Sequence, residues 1–237
     1  MDKVYFISDA HLGAHSKTVE DKKIAKLISF FNSLQNKADY LYIVGDLYDF
    51  WFEYNRAIPK VNLRILAKLT QLVESGTEVR YLTGNHDLWH RGYLQDEIGV
   101  KIYRRPLTVR HNSLELYVAH GDGLARRNRV LRILKKILES PLNIFLYRLL
   151  HPDIGIALAM KISRTSKKRA MRRFDKDYRD FAIAKLNEGF HGVILGHTHI
   201  PLFEKIECKY YVNLGEWMQK FTYLEMIGQT LELKTWQ

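Results

Sequence analysis

The chain has 237 residues, of which 46% are hydrophobic and 27% are charged, and its formal net charge is +11. This length suits one large domain, or one domain with an insertion. The single cysteine, Cys208, excludes an intrachain disulfide, and no apolar run reaches the roughly eighteen residues that a membrane-spanning helix needs.

The first hundred residues alternate between predicted strands and predicted helices. Strands are predicted at 3–8, 40–44 and 78–82, and helices at 18–35 and 59–75. This alternation is typical of parallel strands in one sheet with helices packed on its face.

The second half of the chain is richer in strands. A hairpin is predicted from strands at 107–111 and 114–119, and a helix at about 171–188. The strands predicted after residue 190 lie at 192–195, 202–207, 209–213, 220–226 and 230–235. Together these elements predict an α/β fold with two mixed sheets face to face and helices outside, a four-layer α/β/β/α sandwich.

Residues 124–173 differ from the remainder in charge. They contain 14 basic and 2 acidic residues, a net charge of +12, whereas the other residues together carry −1. We interpret this segment as a helical cap inserted into a single domain that spans 1–237. The alternative is an ordinary helical hairpin with buried apolar faces and solvated charges. A surface with one sign of charge would attract an anionic substrate or an anionic membrane.

Side chains that bind metal ions follow five of the predicted strands. Each follows an apolar run: Asp9 and His11 in FISDAHLG, Asp46 in YIVGDLYDF, Asn85 in YLTGNHDLW, His120 in YVAHGDG, and His197 with His199 in VILGHTHIP. Sites in open α/β sheets form at the carboxyl ends of strands, so these side chains are expected to meet.

The residue types indicate the chemistry of this site. Carboxylate, amide oxygen and imidazole suit Mn, Fe, Zn or Mg rather than a metal that prefers thiolates. Seven such groups are too many for one ion and suit two ions that share a carboxylate. Two ions about 3.5–4 Å apart can clamp an in-line phosphoryl displacement and supply hydroxide at neutral pH. The sequence therefore predicts a dinuclear hydrolase acting at phosphorus.

The motifs DAH, GDLYD, GNHD, HGD and GHTH occur in this order within residues 1–217 and resemble those of the calcineurin-like metallophosphoesterases. The resemblance implies two groups of ligands joined by a bridging carboxylate. These are Asp9, His11 and His199 for one ion, Asn85, His120 and His197 for the other, and Asp46 between them.

The same resemblance implies roles for neighbouring residues. His86 would lie beside the phosphate, as a transition-state stabiliser or as an acid toward the leaving group. Asp87 would orient His86. Apart from the resemblance, Asp122 is a candidate for accepting a hydrogen bond from a ligand histidine and for binding the substrate, and the alternative is that it hydrogen-bonds only its own turn.

A finer resemblance is carried by the cap and the chain's later motifs. GDLYDFW, HGD, Arg164 with Ser166 and Lys167, GHTH and LGEW are similar to the UDP-2,3-diacylglucosamine hydrolases of lipid A biosynthesis. This implies hydrolysis of the substrate's pyrophosphate to UMP and 2,3-diacylglucosamine 1-phosphate, with two divalent ions, manganese by resemblance. It also implies that the cap holds the acyl chains and that Arg164, Ser166 and Lys167 hold the sugar and phosphate.

His86 marks a departure, since the best-known members of that family carry arginine in its place. A metallophosphoesterase acting on another nucleotide pyrophosphate or phosphodiester is therefore the alternative. A nuclease fits less well, because the cap offers only Phe145 and Tyr147 for base stacking. A catalytically inactive binding scaffold conflicts with the complete set of ligands.

The expected location follows from the start of the chain and from the finer resemblance. The chain begins directly with the strand that carries the first ligand, so we expect no cleaved signal peptide and a cytoplasmic protein. The resemblance adds peripheral association with the inner membrane.

Overall fold

The computed structural model describes residues 1–60, 63–124, 137–166 and 175–237, with side chains described except at 161–166 and 175. The helices are α1 (Lys17–Leu34), α2 (Leu63–Glu74), α3 (Tyr93–Asp96), α4 (Pro141–Arg148), α5 (Pro152–Ser166) and α6 (Asp175–Asn187). The strands are β1 (Lys3–Ile7), β2 (Tyr40–Val44), β3 (Glu78–Leu82), β4 (Lys101–Tyr103), β5 (Leu107–His111), β6 (Leu114–Ala119), β7 (Gly192–Leu195), β8 (Leu202–Ile206), β9 (Lys209–Asn213), β10 (Thr222–Ile227) and β11 (Thr230–Thr235).

The strands form two mixed sheets. One has the order β11-β10-β1-β2-β3-β4, and the other has the order β5-β6-β7-β9-β8. Strands β1 to β4 run parallel, as do β6, β7 and β9, while antiparallel strands complete the sheets. The predicted four-layer sandwich is confirmed, because α1 and α2 cover the first sheet and α6 covers the second.

Alternation along β1 shows how the layers arise. Val4 and Phe6 pack between the two sheets, whereas Tyr5 and Ile7 pack toward the helices. All four side chains are at most 9% exposed, so the strand is buried on both faces. A strand that is buried on both faces has a continuous run of apolar residues, which explains why β1 was predictable from the sequence.

The register of the parallel strands positions the loops that follow them. Ile7 pairs with Ile43, and Val44 pairs with Leu82. In the second sheet the last residue of β6 pairs with the last residue of β7. The strands that precede the predicted ligands therefore end at the same edge of each sheet, and the loops that follow them lie close together.

Two short elements were not predicted, namely α3 and β4. Strand β4 has three residues and extends the first sheet by parallel pairing with β3. A strand this short has almost no sequence periodicity, so tertiary pairing rather than local pattern defines it.

The described part of residues 124–173 consists mainly of α4 and α5. It contacts the loops that follow β2 and β3 through a hydrogen bond from Trp89 Nε1 to Leu138 O at 3.0 Å and through the Tyr147 ring. That ring lies 6.0 Å from Trp89 and 4.7 Å from Phe52, measured between centroids. Among the described residues, no helix combines the length and the apolar character that crossing a membrane requires.

Candidate metal centre

The seven predicted ligands meet where the loops after β1, β2, β3, β6 and β7 converge. Three of them form a first cluster, in which Asp9 Oδ1 lies 3.1 Å from His199 Nε2 and 3.7 Å from His11 Nε2. The two imidazole nitrogens lie 3.2 Å apart. Three ligand atoms this close, from residues nearly 190 positions apart, form a compact pocket for one cation.

A second cluster lies beside the first. His120 Nε2 lies 3.3 Å from Asn85 Oδ1 and 3.3 Å from His197 Nδ1. Asp46 joins the clusters, because its Oδ2 lies 3.3 Å from His120 Nε2 and 3.7 Å from His11 Nε2. The carboxylate therefore has the position that a bridging ligand between two ions requires.

Most of the ligands have an unusual backbone conformation. Left-handed φ angles occur at Asp9 (56°), His11 (43°), Asp46 (53°), His197 (67°) and His199 (58°). Each such residue costs of order 1–3 kcal/mol and persists only where its surroundings enforce it. The concentration of this strain at the ligands is a mark of a functional site.

Two glycines allow the ligand loops to approach each other. A Cβ at Gly45, whose φ is 83°, would overlap the His120 ring, and a Cβ at Gly84 would overlap the Asp46 carboxylate. Glycine is needed at these positions because any side chain would occupy the space of a ligand.

Hydrogen bonds around the centre fix the orientation of the imidazoles. His120 Nδ1 lies 2.9 Å from Val44 O, and because a carbonyl only accepts, Nδ1 carries the proton and donates. His11 Nδ1 lies 3.2 Å from Asp49 Oδ1. In both rings the remaining nitrogen, Nε2, faces the other ligands, which is the arrangement that metal-binding histidines use.

The charges of the first cluster stabilise each other. Burial alone would raise the pKa of Asp9, but the imidazoles of His199 and His11 hold it well below its usual value. Burial alone would lower the pKa of His11, but Asp49, Asp9 and Asp46 raise it to about 9. The protonated imidazole of His11 therefore offsets the charge of the nearby carboxylates, as a bound cation would.

The second cluster shows the same competition. For His120, burial would lower the pKa, but attraction to Asp46 raises it well above its usual value. For His197, burial and the neighbouring charge of His120 lower the pKa to about 4. His197 is thus neutral at physiological pH and ready to act as a ligand.

A buried oxygen atom without a hydrogen-bond partner also indicates that these residues fit a divalent cation. Asp9 Oδ1 is buried and has no hydrogen-bond partner, although it faces two imidazole nitrogens. A buried carboxylate oxygen left without a donor is costly, and a cation between it and the nitrogens would remove that cost. The donor set of carboxylate, amide and imidazole suits a divalent metal ion.

His86 lies at the edge of the centre, and 16% of its side chain is accessible, close to the 18% of the ligand His199. Its backbone N–H donates to Asp46 Oδ1 at 2.9 Å, and its Nδ1 lies 3.0 Å from Asp49 O. Its ring meets the His11 ring edge-on at 4.6 Å. It is also close enough to His11 and Asp46 to complete a third group of ligand atoms.

The expectation that Asp87 orients His86 needs correction. Asp87 is fully buried and accepts hydrogen bonds from Gly84 N at 2.8 Å and from the Tyr81 hydroxyl. Its side chain closes the turn that carries Asn85 and His86, as short acidic side chains do in tight turns. The contacts that orient the His86 ring come instead from Asp49.

The predicted substrate residues are only partly described. The charge of Asp122 acts to raise the pKa of both His120 and His197, so Asp122 lies close to the second cluster. Arg164 and Ser166 belong to α5, but their side chains lie outside the described residues, and Lys167 lies outside them entirely.

The sequence analysis missed a buried residue near the ligands. Lys23 is 1% exposed and contacts the loop that contains Asp9 and His11. The available signal was its position on the apolar face of α1, four residues before Leu27.

Comparison with known proteins agrees with this geometry. Residues 2–201 match the sequence model of the family described as calcineurin-like phosphoesterase. The chain belongs to this family and is a metal-dependent hydrolase.

Several relatives that carry the same name align with this chain over nearly their whole length. A UDP-2,3-diacylglucosamine hydrolase of Porphyromonas gingivalis is 29% identical over 98% of this chain and 97% of its own. A protein of the same name from Actinobacillus succinogenes is 25% identical over 99% of this chain and 100% of its own. Among solved structures, an archaeal phosphodiesterase is 16% identical over 98% of this chain and 99% of its own, with a TM-score of 0.49.

Proposed function

We propose that this chain hydrolyses the pyrophosphate bond of UDP-2,3-diacylglucosamine and releases UMP and 2,3-diacylglucosamine 1-phosphate. The observation that carries the proposal is a cluster of seven candidate ligands beside a helix with an exposed apolar face. Relatives that align over nearly the whole chain carry the name of this substrate. The phosphate anhydride of this substrate matches the cluster of candidate ligands, and its pair of acyl chains matches the apolar face of that helix.

In this proposal, Asp9, His11 and His199 hold one divalent ion, Asn85, His120 and His197 hold the other, and Asp46 contacts both. The two ions would supply a nucleophile at neutral pH by acidifying water and would offset the charge that develops on the phosphoryl oxygens. Manganese is the proposed metal, by resemblance. The protein's own contribution is to hold all seven donors rigidly through the strand ends and the bonds to Val44 and Asp49.

His86 is the proposed acid or transition-state stabiliser. Because Asp49 O can only accept, the His86 nitrogen that faces it, Nδ1, carries a proton. Nε2 is then the nitrogen left to donate to the phosphate or to the leaving group when the ring is protonated. The partial exposure of His86 supports this role, since a substrate must reach it from solvent.

The cap is proposed to receive the acyl chains. Helix α4 has no buried residue, and Leu142, Phe145, Leu146 and Leu149 are between 51% and 68% exposed. These residues recur at helical spacing and so share one face of α4. An exposed apolar face of this kind is typical of a binding surface rather than of a monomer's outer surface. Arg164, Ser166, Lys167 and Asp122 are proposed to bind the sugar and phosphate.

The same surface supports a location at the cytoplasmic face of the inner membrane. A segment with a net charge of +12 is attracted to anionic lipid, and exposed leucines can enter the interface. A flotation assay with vesicles of anionic and of zwitterionic phospholipid tests this part. Binding to neither kind of vesicle would contradict it.

The reaction is tested by offering purified protein with manganese a panel of phosphate compounds. The panel contains UDP-2,3-diacylglucosamine in detergent, bis-p-nitrophenyl phosphate, cyclic nucleotides and single-stranded DNA. We expect release of UMP at a rate far above all other turnovers. Turnover of a soluble ester alone would support the alternative of another phosphodiester or pyrophosphate, and cleavage of DNA would indicate a nuclease.

A further inference from the structure

Lys23 is a buried cation that the proposed reaction does not use. It lies in α1 and is 1% exposed. Its ammonium donates to Ala10 O at 2.9 Å and to His11 O at 2.8 Å, and it lies 2.9 Å from Glu20 Oε1. The same nitrogen also lies 3.4 Å from His15 Nδ1, so acceptors surround the three N–H donors of the ammonium.

Glu20, one turn earlier in α1, extends the same contact. Its carboxylate accepts from Gly13 N at 3.0 Å and from His15 N at 3.0 Å. The ion pair therefore binds four backbone groups between residues 10 and 15. This segment directly follows β1 and includes the ligand His11.

The segment needs such support because its backbone is strained. Asp9 and His11 both have left-handed φ angles, which residues with a Cβ adopt only when their surroundings enforce it. The carbonyls that Lys23 binds belong to His11 and to the residue between the two ligands. Lys23 thus holds the two peptide groups that flank His11, and the first of them joins His11 to the residue that follows Asp9.

We propose that Lys23, paired with Glu20, is a positioning residue for the first cluster, which preorganises Asp9 and His11 to bind a divalent ion. This inference rests on the proposed metal centre and adds residues to it that are not ligands. Lys23 acts through the backbone, so it touches neither ion nor substrate.

The positive charge of Lys23 allows the proposal to be distinguished from a simple effect of charge on metal affinity. A positive side chain near a cation site weakens cation binding by simple Coulomb repulsion. Removing that charge would therefore tighten metal binding if charge alone mattered. If Lys23 positions the ligands, its removal weakens metal binding instead, so the sign of the change separates the two explanations.

The experiment compares Lys23→Met with the double variant Glu20→Gln/Lys23→Met. The double variant leaves no unpaired charge, and a buried ion pair replaced by neutral side chains generally permits folding. Lys22→Met is the matched control, because Lys22 is exposed and is the adjacent residue in α1. Manganese binding to metal-free protein is measured by calorimetry, and pairing of the two ions is measured by electron paramagnetic resonance, both without substrate.

We expect both Lys23→Met and the double variant to bind one manganese ion about 10- to 100-fold more weakly, as loss of a residue that orients ligands typically causes. Charge alone would instead predict tighter binding by Lys23→Met and no change in the double variant, whose net charge is unaltered. The resonance spectrum should change from that of a coupled pair toward that of an isolated ion. The control should bind both ions as the unaltered protein does. A stability change with both affinities intact, or a tighter first ion, would overturn the assignment of Lys23. If the unaltered protein bound neither manganese nor zinc, iron or magnesium, the metal centre itself would be wrong.

Discussion

The metal centre and the helical cap are built in opposite ways. At the centre, polar and charged side chains are buried, and each is held by several partners from distant parts of the chain. On the cap, large apolar side chains are exposed, and Trp89, Phe52 and Tyr147 supply described contacts to the body. The difference fits the proposal that the exposed apolar face of α4 receives acyl chains, whereas the seven candidate ligands lie together within the folded chain.

Asp46→Asn tests the centre and should have the largest effect. The neutral amide keeps the shape of the side chain but removes the charge that contacts both clusters. We expect turnover of every substrate to fall by at least about 1,000-fold, since each tenfold corresponds to about 1.4 kcal/mol of transition-state stabilisation. Steady-state kinetics and metal content measure the effect.

Asp21→Asn serves as the control for this change, because Asp21 is an exposed carboxylate that pairs with Lys17 on the surface of α1. It should retain full activity. An Asp46→Asn protein that still turned over substrate at a normal rate would show that Asp46 is not a shared ligand.

The paired substitution Leu142→Ser/Leu149→Ser tests the cap and should have the next largest effect. The two leucines are 65% and 68% exposed, so the folded protein loses little by their removal. If acyl chains cover them, each contributes about 1.5–3 kcal/mol when fully buried, and partial burial of both corresponds to roughly a 10- to 100-fold loss. That loss should appear in kcat/KM for the diacyl substrate and not for bis-p-nitrophenyl phosphate.

Leu63→Ser is the matched control, since Leu63 is 68% exposed at the start of α2. It should leave both substrates unaffected. Equal losses on the diacyl substrate and the small ester after the cap substitution would contradict the proposal that α4 receives acyl chains.

The contrast between the two regions also explains what the sequence could predict. The meeting of the seven candidate ligands was predictable because each lies just after an apolar strand, and strand ends of parallel sheets meet by rule. The partners of Asp87 were not predictable, because adjacency to His86 in sequence says nothing about which way a turn directs each side chain. Lys23 was missed for a related reason, since its partners are backbone carbonyls that reach it only through packing of α1 on the first sheet.

The pH dependence of metal binding sharpens the account of the centre. In the metal-free protein the pKa of His11 is raised from 6.5 to about 9, so His11 holds a proton that an ion must displace. We expect metal affinity to rise from pH 6.5 to about 9, by up to roughly tenfold per pH unit for one displaced proton. Calorimetry in buffers with different ionisation heats measures the released proton, and an affinity that does not change with pH would contradict this.

The stability of the metal-free protein should change in the opposite direction. Because the pKa of His11 in the folded state lies above its unfolded value, its contribution is fully present below about pH 6.5. The contribution is lost as the pH rises through about 9. Bound metal should remove this dependence, since the imidazole is then held by the ion rather than by a proton.

Trp89→Phe examines how the cap is attached and should have the smallest effect. The change keeps an aromatic ring against Tyr147 but removes the hydrogen bond from Trp89 Nε1 to Leu138 O. Loss of one such bond costs about 1 kcal/mol, so α4 should open from the body roughly fivefold more often. Hydrogen exchange of the α4 amides measures this opening.

Trp236→Phe is the control. The Trp236 indole nitrogen has no hydrogen-bond partner within the described part of the chain, and the Trp236 ring packs against Phe30. Faster exchange in α4 after both substitutions would mean that general loosening, and not the bond to Leu138, controls the cap.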